Sequence, residues 1–215
     1  VLLPSSLCMP PDDPDSILIA VKREAGSRGG SQAMHEVTVG DHLKVSKPRN
    51  LLGLSEDADR HLLVAGGIGV TPLLSMAYAL HSRGADFELH YFAHSREDAA
   101  FVELLEERAE FRGLVRLHLG VPRDQQPALL SAAAARLTPR SHVYTCGPDG
   151  FMAQVRTTLA PYVGDDHVHA EHFEATEIDT SRDRAFTVEL DTGETYDVPA
   201  DRSILAVLED NGIEV

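Results

Sequence analysis

Residues Leu63–Met76 read LVAGGIGVTPLLSM. An apolar run stops at three glycines, Gly66, Gly67 and Gly69, and resumes from Thr71 with the spacing of an apolar helix. The pattern predicts a strand, a tight turn and a helix. A helix opening at such a turn leaves its first N–H groups unpaired at the positive end of its dipole, which makes a seat for an anion, most often a phosphate. Glycines in the turn let the backbone come close to a bound group that a β-carbon would hold off. Pro72 falls just inside the helix, where its missing N–H costs nothing. The match to the dinucleotide fingerprint G-x-G-x-x-G is partial, because Pro72 stands where the last glycine belongs.

From this stretch a regular rhythm runs downstream. Strand patterns HLLVAG, FELHYFAH, VRLHLG and HVYTCG alternate with helical patterns TPLLSMAYALHSRG, DAAFVELLEERAEF, PALLSAAAARL and DGFMAQVRTTL. Strands and helices alternating at these lengths predict a parallel sheet with crossover helices on both faces. A second glycine turn, Cys146-Gly147-Pro148, closes the strand HVYTC. Ligands of open α/β sheets bind outside the carboxyl ends of the strands, so the two turns are expected to face one crevice. Upstream of the acidic segment SEDADR, SILIAVK and HEVTVGDHLKVSKP carry the apolar alternation of half-buried strands, and a small β-barrel part is expected there. Downstream, ATEIDTSRDR reads as a linker, and FTVELDTGETYDVPADRSILAVLED as a hairpin turning at Asp191-Thr192-Gly193 followed by a helix capped near Asp201. The division expected is 1–56 for a partial β-barrel, 57–175 for the nucleotide-binding α/β domain, 176–185 for the linker and 186–215 for the start of a further domain.

Composition narrows the function. The chain has 215 residues, 43% hydrophobic and 25% charged, which suits a folded globular protein. A net charge of -15 argues against a nucleic-acid partner, and no apolar run is long enough to span a membrane. A cytoplasmic protein is the reading that follows. Cys8 and Cys146 lie far apart without metal-ligand spacing. The sequence opens without Met and closes at NGIEV, and the interior of a longer polypeptide is expected.

GGIGVTPLLSM with YTCGPDGFM resembles the NAD(P)H domain of the ferredoxin–NADP reductase superfamily. The upstream IAVKREAGSRGGSQAMH narrows the likeness to the phthalate dioxygenase reductase group, which includes vanillate demethylase reductases and reductase tails fused to haem monooxygenases. The resemblance implies an FMN-binding antiparallel barrel, an NADH domain and a plant-type 2Fe-2S ferredoxin domain of β-grasp type in succession, with 186–215 as the opening of the last. It implies a phosphate seat at Arg28, Gly29, Gly30 and Ser31, with Lys22 near the flavin. A glycine turn with a hydroxyl, an arginine fork and a helix start suits a terminal phosphate on physical grounds as well. Where the family carries R-x-Y-S-L, this chain has Leu3-Pro4-Ser5-Ser6-Leu7, which keeps Ser6, placed near the flavin's reactive nitrogen, and Leu7. Phe173 aligns with an aromatic residue that packs on the flavin and shields the nicotinamide; filling an interdomain seam is its alternative role.

The remaining candidates concern the nucleotide and metals. The run from Ser95 follows the second strand, where the adenosine ribose is read; Asp98 favours NADH and Arg96 favours NADPH, and the resemblance favours NADH. His167, His169 and His172 in HVHAEHF fit a strand with polar edges, and no metal site is assigned to them. A 2Fe-2S cluster needs four thiolates, so it is expected only in a longer chain. The function implied is a reductase in which Thr71 and Cys146 flank the nicotinamide, hydride passes to FMN, and single electrons pass to an oxygenase or haem monooxygenase, fused or separate. The alternatives are an FAD ferredoxin reductase, disfavoured by the RGGS seat, and a nucleotide-binding or partner-docking module with a degenerate flavin site, favoured by Leu3 and Ser5.

Overall fold

The computed structural model describes residues 3–10, 16–24, 26, 29–50, 52–173 and 183–213. The chain divides into two compact units, Val1–Phe173 and Glu174–Val215.

The first unit is organised by five parallel strands: β1 (His61–Gly66), β2 (Phe87–Ala93), β3 (Val115–Leu119), β4 (His142–Cys146) and β5 (Val168–Glu171), in the order β3-β2-β1-β4-β5. Every residue of β1 is buried, as a central strand covered on both faces requires. Two helices join the first three strands: α2 (Val70–Ser82) and α3 (Val102–Glu107). They pack Leu73, Leu74, Ala77, Leu80, Val102 and Leu105 onto Leu63, Leu89 and Tyr91. On the opposite face α4 (Gln126–Ala134) and α5 (Asp149–Val163) bury Leu130, Phe151, Val155 and Leu159 against Leu62, Val64 and Val143. The helices on both faces follow the expected rhythm, with one shortening. The helix expected over 98–111 is confined to α3, because Phe101 takes a left-handed φ of 64° before it and Arg108 is extended after it. A short 3₁₀ turn, Ala109–Phe111, completes the stretch.

At the amino-terminal side of the sheet, charge replaces apolar contact. Arg60, almost fully buried, reaches Asp86 at 2.5 Å and Glu88 at 3.1 Å, and Arg116 closes on Glu88 at 3.3 Å. The acidic segment before β1 is held as well. The Ser55 N–H donates to the Tyr144 hydroxyl at 2.8 Å, and the Asp59 carboxylate accepts from Thr138 at 2.6 Å and Ser141 at 3.0 Å.

The leading segment departs from expectation. No strand forms among the described residues before His61; the element there is α1 (Gly30–Glu36), and a single backbone hydrogen bond, Cys8 N–H to Leu18 carbonyl, links 3–10 with 16–24. The antiparallel ladders expected over 16–22 and 35–48 are therefore absent among the described residues. A strand exists only through its partner, and here Ile17, Leu18, Val39, Leu43 and Val45 stay exposed. Cys8 and Met9 are the buried anchors of this segment: Cys8 joins the core beside α2, and the Met9 carbonyl accepts the Ser75 hydroxyl at 3.4 Å.

The second unit contains the antiparallel pair β6 (Phe186–Glu189) and β7 (Thr195–Val198), turning where Gly193 N–H meets the Leu190 carbonyl, and α6 (Ile204–Asp210). The hairpin falls where the sequence places it. The cap is Ser203 rather than Asp201: its hydroxyl accepts the Ala206 N–H at 3.2 Å. A ferredoxin-like domain is not shown by these elements. The linker expected over 176–185 lies mostly outside the described residues, as does Arg28.

Candidate cofactor site

Strand β1 ends at Gly66, a 3₁₀ turn covers Gly67–Gly69, and α2 starts at Val70. Beside it β4 ends at Cys146, and Gly147-Pro148 leads into α5. These strands are paired neighbours, with Ala65 opposite Cys146, and the chain turns outward in opposite directions from them. This is the topological switch point, where open α/β sheets bind their ligands.

The glycines here do something other than expected. A β-carbon at Gly69 would overlap the Cys146 carbonyl, and one at Gly147 would lie 2.9 Å from the Gly66 carbonyl oxygen. A β-carbon at Gly66 would stand 2.7 Å from the Phe151 ring. Three of the glycines therefore serve to interlock the two turns and seat α5. Gly67 differs: at a φ of +55° its missing side chain would point into open space at the carboxyl end of β1, so this is the backbone left free to meet a ligand. Pro72 lies in the first turn of α2, as expected. The buried Thr71 hydroxyl donates to the Ile68 carbonyl at 3.0 Å and so braces the turn.

Cys146 is fully buried, and burial, reinforced by the Glu171 charge, pushes its thiol up to about 12. It stays protonated at neutral pH and offers no nucleophile. Glu171 is its ladder partner on β5, and burial raises its own pKa. Sequence reasoning missed Glu171, because the pairing of β4 with β5 carries no local signal. It also missed Asp149, whose Oδ1 lies 3.0 Å from His172 Nδ1. Phe173 follows at once and is 47% exposed.

At the exit of β2, Ser95 and Asp98 form a closed turn: the hydroxyl donates to the carboxylate at 3.0 Å and accepts the Asp98 N–H at 3.2 Å. Arg96 is forked onto Glu106 at 3.0 and 2.5 Å, which raises the guanidinium pKa further. The two groups that pointed to opposite nucleotides are thus both engaged by the protein. Arg123, which the sequence reading passed over, lies beside the start of α5, with its Nη1 3.7 Å from the β-carbon position of Gly150.

The leading segment carries the remaining candidates. Lys22 pairs with Glu24 at 2.6 Å in solvent. Ser31, buried in the first turn of α1, accepts the Glu24 N–H at 3.2 Å, and Gly29 and Gly30 open that helix. Among the described residues no hydrogen bond or ion pair joins Ser6, Leu7, Lys22 or Ser31 to the glycine turns. Of the histidines, His169 shares a 2.8 Å hydrogen bond with His142, on which His167 also stacks with ring centroids 4.1 Å apart.

The parallel sheet, the order of its strands and the interlocked turns define an open α/β domain with its switch point between β1 and β4. No model of a known protein family matches the chain. Among individual proteins, it is 43% identical over 98% of its length to a vanillate O-demethylase oxidoreductase of Pseudomonas putida, covering 67% of that protein. It superimposes on phthalate dioxygenase reductase, described as a modular structure for electron transfer from pyridine nucleotides to [2Fe-2S], with a TM-score of 0.78 at 36% identity; 98% of this chain and 66% of that one are covered. An intact type IV self-sufficient cytochrome P450 monooxygenase gives 0.74 at 36% identity, with 98% of this chain matched to 28% of that one. The chain belongs to the oxygenase-reductase family that holds vanillate O-demethylase oxidoreductase and phthalate dioxygenase reductase. It spans 62% to 67% of the length of vanillate O-demethylase oxidoreductases from Pseudomonas and Acinetobacter that it resembles.

Proposed function

We propose that the chain is part of an oxidoreductase that takes hydride from NADH onto FMN and sends single electrons towards an oxygenase or a haem monooxygenase in the cytoplasm. The observation that carries this reading is the pair of interlocked glycine turns at the switch point between β1 and β4. They support a dinucleotide lying across the carboxyl ends of the strands, its pyrophosphate at Gly67 and the start of α2. When bound, FMN would supply the conversion between a two-electron hydride and single electrons. The residues supply position. Thr71 holds the turn in shape, the protonated Cys146 would offer a neutral wall to a nicotinamide, and Phe173 would cover a flavin. The glycine-led start of α1 would hold the FMN phosphate through Gly29, Gly30 and Ser31, with Arg28 and Lys22 adding charge and Ser6 and Leu7 contributing beside the flavin. The preference for NADH rests on Arg96 being neutralised by Glu106. The two cysteines, both buried, do not make a 2Fe-2S site, and no step through a cluster is assigned to these residues.

The test is an anaerobic absorbance titration of the purified protein with NADH and then NADPH, with the released flavin identified after denaturation. Bleaching of FMN by NADH is the expected result. Colourless protein that still binds NADH would replace this reading with that of a nucleotide-binding module, to which the exposed apolar leading segment lends some support.

A further inference from the structure

We propose that His172 is a positioning residue: its hydrogen bond to Asp149 sets where Phe173 stands relative to the cofactor crevice. The inference rests on the reductase reading for its functional meaning and on the geometry of the β4–α5 turn for its basis. The ladder between β4 and β5 ends at the Cys146–Glu171 pair. Beyond it β4 turns through Gly147-Pro148 into α5, while β5 runs on to His172 and Phe173. The contact that bridges the two diverging ends is His172 Nδ1 to Asp149 Oδ1 at 3.0 Å, an imidazole N–H donating to a carboxylate.

Asp149 is itself firmly placed. It is the first residue of α5, where a carboxylate complements the helix dipole. That turn is fixed by Phe151 and Met152 N–H bonds to the Pro148 carbonyl and by the Phe151 ring against Gly66. A continuous set of contacts thus leads from the glycine turn of β1 through the start of α5 to His172. Among the described residues Phe173, 47% exposed, joins neither hydrophobic cluster, so its placement is inherited from the residue before it. Both partners of the tie are solvent-exposed, with side-chain exposures of 53% and 66%, so it adds little to overall stability. Position can therefore be separated from folding.

The chain contains no tryptophan, so a Phe173→Trp reporter gives a single emission. In the protein without added cofactor, His172→Ala and Asp149→Ala are expected to lower the anisotropy of that reporter, and Asp149→Asn, which keeps an acceptor oxygen, to restore it. In the FMN-loaded protein, His172→Ala is expected to slow NADH-driven flavin reduction roughly fivefold, the scale of one hydrogen bond, with an unchanged unfolding midpoint. On a Phe173→Ala background it should have no further effect. Unchanged anisotropy in His172→Ala, or a rate loss that adds to that of Phe173→Ala, would overturn the proposal. Protein that NADH does not bleach would overturn the reductase reading instead, while the anisotropy comparison still decides the tie.

Discussion

Two stretches of this chain both read as strands in the sequence and end in opposite conditions. HLLVAG at 61–66 becomes β1, buried at every residue between two paired strands. EVTVGDHLKV at 36–45 has the alternation of a half-buried strand, yet Val39, Leu43 and Val45 are exposed and no ladder forms among the described residues. The difference lies in neighbours as well as in pattern. Strand propensity is largely a measure of packing on a pleated surface, and it yields nothing where that surface is lacking.

The sharpest way to break this comparison is to disturb the buried side where it allows no adjustment. Gly69→Val places atoms into the Cys146–Gly147 backbone, and overpacking at a backbone contact is expected to cost about 3 kcal/mol or more, read as a collapse of the urea midpoint together with loss of nucleotide binding. Retained stability with lost binding would instead mean that Gly69 faces the ligand. Leu63→Ala, at a fully buried position of β1, should cost about 2–5 kcal/mol in the same unfolding experiment. Acid comes next. Burial depresses His61 and His90 from 6.5 to about 4, so between those values the unfolded chain binds more protons than the folded one. Stability should fall as pH drops through that window, by on the order of 1 kcal/mol from each histidine at pH 5 relative to pH 7, and level off below about 4. A urea midpoint unchanged between pH 7 and 5 would refute the burial of both. Smallest of all, Leu43→Ala in the exposed stretch should move the midpoint by less than about 0.5 kcal/mol. A loss like that of Leu63 would show that the leading segment is covered in solution.

The α/β domain was legible because its signals are local: apolar runs of strand length, helices of crossover length, and glycines at two strand ends. That the two turns share a crevice also followed, from a general rule about parallel sheets. What the glycines do there was not legible. Gly69 and Gly147 face protein backbone that lies about eighty residues away in sequence, and no pattern within one turn reveals that the other fills its space. Glu171 and the His172–Asp149 pair were hidden for the same reason, since they arise from the β4–β5 register. The reading of Arg96 and Asp98 as rival nucleotide readers stalled on charge alone. The structure engages both groups, Arg96 with Glu106 and Asp98 with Ser95. In the leading segment the error ran the other way: alternation was taken as a strand when it states only which face would be buried if a partner were present.

The interlocked turns bear on how this domain can be re-engineered. Because Gly69 occupies space ceded by Cys146 and Gly147 lies against Gly66, the two loops behave as one moulded part. A graft of either loop alone from a distant relative would bring half of a fitted surface, so the two should be transplanted together. The exit of β2, where Ser95 to Asp98 close on themselves and Arg96 is held by an exposed glutamate, shares none of that fit. Residues there can be exchanged without reopening the core.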